Sequence, residues 1–388
     1  LRRFKVLSLV LCLLLMVGAV AGCSNQQTGG SDEDVIKVGF LGALTGDVAC
    51  YGLPGLEGLK MAAEELNANG GILGKQVVIV EADNRGDTTE AINIVQKFIS
   101  RDGVKAVIGD PCSGITKVAA RTAQDNKMVI ISPGAVAAGA IDAGDYCFRN
   151  VLLDSLGCPA TVSYLMEQGH KDYALVTAIN DDYSVSLSGY FKDALNDQGG
   201  NIVIEESIQR GDTNFAAQVT KIKPTNPDII VFTGYYQEAA IFMKEVRKQG
   251  MDQVFVAGDG CLGEELYKQG GEAVEGCIVY CGFSPEDPKE ESKKFLEAYS
   301  EKYNGKQADM FAAQYYDALM IVAEAMERAQ SSDPSVYKDE MAKTTDFPGV
   351  SGNTTFGPDR EPIKSPVYLL TVKDADDNKF SLLAKVDV

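Results

Sequence analysis

RGDTTEAINIVQKFISRDGVKAVIG, residues 85–109, is echoed by RGDTNFAAQVTKIKPTNPDIIVFTG, residues 210–234. Arg-Gly-Asp-Thr opens both stretches, and Gly109 or Gly234 closes them. Between these marks each copy carries apolar residues at helical spacing: Ala91, Ile94, Val95, Phe98 and Ile99 in one, Phe215, Ala216, Val219 and Ile222 in the other. A short apolar run then follows, 104–109 and 228–234. These runs lack the in-out alternation of a half-exposed sheet, which predicts parallel strands covered on both faces. A Gly-Gly pair and a strand precede each copy: Gly70-Gly71 before 76–82, and Gly199-Gly200 before 201–207. One βα pattern therefore occurs twice.

Working outward, strand and helix alternate along most of the chain. The first run holds a strand at 35–44, a helix reaching Asn67 and a strand at 129–132. The second holds helices near 160–168 and 189–195, with strands at 173–177 and 254–258. Cys277 and Cys281 lie on what reads as a further strand, too far apart for a disulfide. Helices at 290–303 and 309–330 and strands at 366–372 and 379–386 complete the pattern. The expected class is α/β, two Rossmann-like lobes with parallel-core sheets.

The start of the chain addresses compartment. Arg2, Arg3 and Lys5 precede an uncharged apolar stretch, 6–17, and then Gly18-Ala19-Val20-Ala21-Gly22-Cys23. This is the layout of a secretory signal, and the apolar segment is short of the roughly 20 residues that a spanning helix needs. Val20-Ala21-Gly22-Cys23 resembles a lipobox, which predicts a signal peptide over 1–22, lipidation of Cys23 and a polar tether over 23–34. The expected protein is extracytoplasmic and membrane-anchored by acyl chains. With 55 acidic against 36 basic residues and a formal charge of −19, its surface repels nucleic acid.

Catalytic chemistry finds few parts. His170, the one histidine, sits in a Gln168-Gly169-His170-Lys171 turn, and no G-x-S-x-G or P-loop pattern is present. Asp374-Ala375-Asp376-Asp377-Asn378 lacks the glycine and terminal glutamate of a calcium loop and reads as a hairpin turn. Neither metal nor cofactor is expected. Binding is the remaining class.

Open α/β sheets bind ligands beyond the carboxyl ends of their strands. The loops so selected, 45–52, 109–114, 132–137, 178–184, 234–238 and 258–262, hold Tyr51, Ser113, Tyr183, Tyr235, Tyr236, Glu238 and Asp259. A hydroxyl and helix-start N–H groups at Ser113 suit a carboxylate, Asp259 suits an ammonium, and tyrosines wall an apolar tail. Together these complement an apolar amino acid. Taken singly, Ser113 equally reads as an N-cap, Tyr235 or Tyr236 as core, and Asp259 before Gly260 as a turn residue.

Val38-Gly39-Phe40-Leu41-Gly42-Ala43-Leu44-Thr45-Gly46, Asn67-Ala68-Asn69-Gly70-Gly71-Ile72, Val107-Ile108-Gly109-Asp110-Pro111-Cys112-Ser113, Ile131-Ser132-Pro133-Gly134-Ala135 and Thr233-Gly234-Tyr235-Tyr236 occur in this order. In these phrases the chain resembles the branched-chain amino-acid-binding proteins of ABC transporters, which have the type I periplasmic-binding fold. The resemblance implies two lobes joined by a three-stranded hinge, with crossings near 153–156, 282–286 and 353–358. Lobe 1 would comprise 35–154 plus 284–355, and lobe 2 155–283 plus 356–388. It further implies a monomer that passes a small amino-acid-like ligand to a membrane permease.

Residue by residue, the resemblance gives Ser113 the ligand's carboxylate or amine and Ala135 a main-chain contact. Tyr51, Tyr183 and Tyr236, with Tyr235 as the alternative to the last, line the site. Asp259 faces the ammonium, and Phe283 lies near the side-chain pocket. Val136 stands where the family carries a threonine, which removes a hydroxyl and opens the ligand range to an amide, an aromatic amino acid or another small organic acid. Ligand sensing is a further possibility. Gly86 stands where some members of the family carry a disulfide partner for Cys112, leaving Cys112 free or paired elsewhere, for instance with Cys50.

Overall fold

A computed structural model describes residues 35–373 and 379–387. The expected signal, the lipobox with Cys23, the tether and the acidic turn 374–378 lie outside the described residues.

The first sheet contains β1 (Val35–Gly42), β2 (Gln76–Asp83), β3 (Ala106–Ile108), β4 (Ile130–Ser132) and β5 (Cys147–Arg149), in the order β2-β1-β3-β4-β5. β1 pairs parallel with β3, β3 with β4, and β4 with β5. The second contains β6 (Asp172–Ala178), β7 (Asn201–Ile208), β8 (Ile229–Thr233), β9 (Val254–Ala257) and β10 (Ile278–Cys281), in the order β7-β6-β8-β9-β10. This is the first sheet's order repeated. Both Arg-Gly-Asp-Thr turns occupy the same place in it, after β2 and after β7. β11 (Thr355–Phe356) and β12 (Pro362–Ile363) form a separate antiparallel pair, and β13 (Val367–Lys373) and β14 (Lys379–Val386) extend the second sheet antiparallel beyond β10.

Neighbouring residues of β1 show why its apolar run is continuous. Successive side chains on a strand point to opposite faces. A Cβ on Gly39 would lie 2.6 Å from the Phe98 ring, whereas the Phe40 ring packs 5.5 Å from that of Tyr315 on the helix Met310–Ala329. Both faces of the strand are therefore covered. The helices Ala49–Ala68 and Met310–Ala329 also approach backbone to backbone, since a Cβ on Gly58 would fall 1.9 Å from the Ala312 carbonyl oxygen.

The chain crosses between sheets three times. After β5 it enters the helix Asp154–Glu167, which starts earlier than the pattern near 160 predicts. After β10 it returns past Leu152, whose Cβ lies 2.9 Å from where a Cβ on Gly282 would be. The helix Glu290–Lys302 then docks on the first lobe through the Tyr299 hydroxyl and the Glu57 carboxylate.

The third crossing falls later than the sequence suggests. Residues 356–364, assigned above to lobe 2, make their contacts with lobe 1. The Phe356 ring lies 5.3 Å from Phe148, and Lys364 bonds Ser351 at 2.8 Å. Glu361 grips Arg149 through two bonds of 2.5 and 2.7 Å. The physical reason is the buried Arg149 guanidinium, which needs a counterion beside β5. The chain passes to lobe 2 only at 365–366, just before β13. The cysteines of the described residues are all free thiols, so the suggested Cys50–Cys112 pairing is not formed.

Candidate functional site

In a sheet ordered 2-1-3-4-5, the strand order reverses between the first and third strands, which opens a crevice at their carboxyl ends. The two crevices of this molecule face one another. Tyr51 comes from the segment after β1, and Pro111, Cys112 and Ser113 from after β3. Tyr183 follows β6, Tyr235 follows β8, and Asp259 with Gly260 follow β9. Gly134, after β4, and Phe311 complete the wall. The cavity between them is about 10 Å³, space for about one water.

Lobe 1 contributes polarity of one sign. Ser113 is the first residue of the helix Ser113–Asp125, and its Oγ accepts the Ala137 N–H at 3.2 Å. Cys112 precedes it without a side-chain cap, so the helix presents first-turn N–H groups at the cavity. Behind it Asp110 is buried, with its oxygens held by Asn84 Nδ2 at 2.5 Å and Cys112 N–H at 2.7 Å. Burial still pushes this carboxyl up to about 6.

Lobe 2 contributes the opposite sign. Asp259 is buried in the turn Asp259–Cys261. Burial first, and next the charge of Asp154, pushes its carboxyl up to about 8, while the Tyr183 hydroxyl and the Gly260 N–H pull it down. The Gly260 N–H donates to the Tyr183 hydroxyl at 3.0 Å. Gly260 leaves no room for a side chain there, since a Cβ would meet the Tyr183 ring at 2.8 Å.

Aromatic rings fill the space between these ends. Tyr51 packs 4.9 Å from Phe311 and 6.2 Å from Tyr235, and Tyr183 packs 5.1 Å from Tyr235. Burial pushes all three phenols well up, so they act as neutral donors and acceptors. The Arg210 guanidinium covers Tyr235 at 4.3 Å from the ring centroid and lies 3.3 Å from Asp181.

Bonds between the lobes close the site. The Tyr51 hydroxyl donates to the Gly260 carbonyl at 2.6 Å, directly across the cavity. Around it, the Tyr236 hydroxyl and Gln237 Nε2 donate to the Asp47 carbonyl at 2.6 and 2.7 Å. On another side, the Ala138 N–H donates to Ser186 Oγ at 2.9 Å and Lys117 pairs with Asp182 at 3.0 Å.

The geometry gathers Tyr51, Ser113, Tyr183 and Asp259 and separates the rest of the expected set. Of the tyrosine pair it is Tyr235 that faces the cavity. Tyr236 points instead into a groove of about 640 Å³ that it shares with Cys50 and Phe283. The reason is local: Tyr236 opens the helix Tyr236–Lys248, and its hydroxyl is taken by Asp47. Phe283 is likewise removed from the cavity. Ala135 and Val136 are buried behind Gly134; the Ala135 N–H is spent on Ser132 Oγ at 3.0 Å and its carbonyl on Arg149 at 2.8 Å. Glu238 accepts the Gly211 N–H at 2.7 Å and holds the second Arg-Gly-Asp-Thr turn.

The residue that sequence reasoning missed is Phe311. It stands at the start of a helix instead of at a strand end, so the strand-end rule passes over it. The available signal was Asp309, whose carboxylate caps that helix by accepting the Ala312 N–H at 2.9 Å.

Comparisons with known proteins identify the family. Residues 35–378 match the model of a family described as periplasmic binding protein. The leucine-, isoleucine-, valine-, threonine- and alanine-binding protein of Pseudomonas aeruginosa is 28% identical over 340 residues, covering 87% of this chain and 89% of that protein. The crystal structure of the leucine-binding protein LivK from Thermotoga maritima superposes with a TM-score of 0.85 at 31% identity, covering 91% of this chain and 99% of that one. The substrate-binding protein LivJ from Streptococcus pneumoniae, in complex with isoleucine, gives 0.83 at 34% identity with the same coverage. The family is one of solute-binding proteins and not of enzymes. With its model matched from β1 into the last hairpin and the paired sheets around an interlobe cavity, this chain belongs to the periplasmic binding protein family.

Proposed function

We propose that the protein is the extracytoplasmic solute-binding component of an ABC importer and that it binds leucine, isoleucine, valine or an amino acid of similar apolarity between its lobes. The observation that carries this reading is the opposed polarity of one closed cavity: a buried carboxylate, Asp259, on one wall and a helix start with Ser113 on the other. The ammonium goes to Asp259. The carboxylate goes to the Ser113 hydroxyl and first-turn N–H groups. The aliphatic chain lies among Tyr51, Tyr183, Tyr235 and Phe311.

A cavity of about 10 Å³ does not accommodate an amino acid without movement of its walls. Those walls belong to different lobes, so the ligand enters by parting them and is retained by their closure. A ligand that touches both lobes favours the closed state by the difference in its contacts. The Tyr51–Gly260 bond is the first that it displaces. Val136, without a hydroxyl, contributes only apolar packing, which leaves Ser113 the main side-chain partner for the carboxylate. The closed protein then docks on a membrane permease, held near it by lipid on Cys23.

A thermal-shift screen tests the reading. A ligand bound only by the folded protein raises its Tm, and the expected result is a rise with isoleucine, leucine and valine that exceeds the rise with glutamine, glutamate or benzoate. No rise with any apolar amino acid rejects it. Metabolic labelling with a fatty acid, abolished by Cys23→Ala, is the expected result for the anchor.

A further inference from the structure

Residues 134–140, Gly-Ala-Val-Ala-Ala-Gly-Ala, follow β4 and carry no polar side chain. The shape of such a segment is set by what its main chain bonds. The Ala135 N–H donates to Ser132 Oγ at 3.0 Å, the Ala137 N–H to Ser113 Oγ at 3.2 Å, and the Ala138 N–H to Ser186 Oγ of lobe 2 at 2.9 Å. The Ala135 and Ala137 carbonyls both accept from Arg149 Nη1, at 2.8 Å each.

Register places Arg149 for this task. It lies opposite Ser132 in the β4–β5 pairing, beside the point where the segment leaves β4. Its Nε and Nη2 donate to the two Glu361 carboxylate oxygens at 2.5 and 2.7 Å. One planar guanidinium thus holds a carboxylate by its fork and two carbonyls by its remaining amine, a geometry that lysine cannot copy. The β11–β12 hairpin delivers Glu361: the Gly357 N–H donates to the Glu361 carbonyl at 2.9 Å, and Phe356 packs on Phe148, the neighbour of Arg149.

This chain of bonds ends at the ligand wall. An N–H can only donate, so Ser113 Oγ accepts from Ala137 and keeps its own proton to give. That proton has no acceptor among the described residues, and Ser113 lines the cavity. Resting on the amino-acid reading above, we propose that Arg149 and Glu361 are positioning residues for the ligand's carboxylate: by fixing the Ala135 and Ala137 carbonyls they hold the Ala137 N–H on Ser113 Oγ and leave the Ser113 hydroxyl proton for the ligand. Neither lines the cavity, so both act through the 134–138 segment. The alternative is that Glu361 only neutralises a buried cation. That role predicts a loss of stability with no preference for Ser113.

Double-mutant cycles on isoleucine binding separate the two roles, with calorimetry for affinity and urea unfolding as the check on the fold. Glu361 is the better position to alter, since its side chain is 22% exposed against 4% for Arg149. Glu361→Gln keeps the length but loses the charge and one acceptor. It is expected to weaken isoleucine about fivefold where Ser113 is present, the scale of one hydrogen bond, and less than about twofold in Ser113→Ala. Combined with Arg210→Ala, on the other lobe, its effect is expected to add independently. Glu361→Asp, which restores the charge, is expected to recover part of the loss with the same dependence on Ser113, and it carries the test if Glu361→Gln does not fold. The Ala137 amide proton is expected to move upfield in either variant as its bond to Ser113 lengthens. An equal loss with and without Ser113, no loss at all, or an unmoved Ala137 resonance overturns the positioning role alone. Failure of the intact protein to bind isoleucine overturns the amino-acid reading and the positioning role with it.

Discussion

The two Arg-Gly-Asp-Thr turns share a sequence and a place in the fold, yet their side chains meet different fates. In the first copy, Arg85 is largely in solvent, its side chain 65% exposed and only 3.8 Å from Glu90. Asp87 caps the next helix by accepting the Glu90 N–H at 2.8 Å. In the second copy, Arg210 is 34% exposed, paired with Asp181 and laid over the Tyr235 ring. Asp212 there turns back to accept the Gln209 N–H at 2.8 Å, and the helix Ala216–Ile222 has no side-chain cap. A repeated segment thus conserves backbone topology while leaving chemistry to its surroundings. The same holds for the lobes as wholes: strand order is common to both, and each offers the cleft the polarity that the other lacks.

This contrast between lobes can be broken most directly at its acid. Asp259→Ala removes the one carboxylate that lines the cavity among the described residues, and isoleucine affinity is expected to fall by about 100-fold or more, in line with the roughly 2–5 kcal/mol for truncating a buried charge pair. Calorimetry near pH 7.5 checks it; a change below threefold would remove lobe 2 as the cation-binding half. The opposite wall is expected to yield less. Ser113→Ala deletes a neutral hydroxyl but keeps the helix N–H groups, so about a tenfold loss is expected from the roughly 1.5 kcal/mol of one hydrogen bond to a charged group. A larger loss than at Asp259 would reverse the assignment of polarity.

Two comparisons within the repeat are finer. Asp87→Ala is expected to cost about 1 kcal/mol of stability in urea unfolding, the usual worth of an N-cap, and Asp212→Ala distinctly less, because it caps no helix. Equal losses would mean that the turns are energetically alike. Arg210→Ala is expected to weaken isoleucine binding by about twofold to fivefold through the loss of a cation–π contact on Tyr235, worth roughly 0.5–1 kcal/mol. Arg85→Ala is expected to leave affinity unchanged. Parallel titrations of the two variants decide whether the second arginine serves the site.

Much of the fold was legible because it rests on periodicity. The apolar runs at 104–109 and 228–234 cannot be half-exposed strands, and the structure has them as β3 and β8, the third strands of equivalent sheets. The strand-end rule then led to Tyr51, Ser113, Tyr183 and Asp259. It could not choose between Tyr235 and Tyr236, since adjacent residues at a helix start point to different sides and only the position of Asp47 decides which hydroxyl is captured. Nor could it reach Phe311, which enters from a helix more than fifty residues downstream of Asp259.

Local pattern alone determined the α/β class, the duplicated succession of strands and helices, and the loops where binding chemistry sits, because burial on two faces and strand-end geometry are properties of contiguous segments. Tertiary structure decided the rest: which tyrosine lines the cavity, that Phe311 joins it, and that Glu361 holds residues 356–364 on the first lobe. Each of these depends on distances between residues far apart in the chain. Such distances are set only when the sheets, the crossings and the closing contacts are all in place.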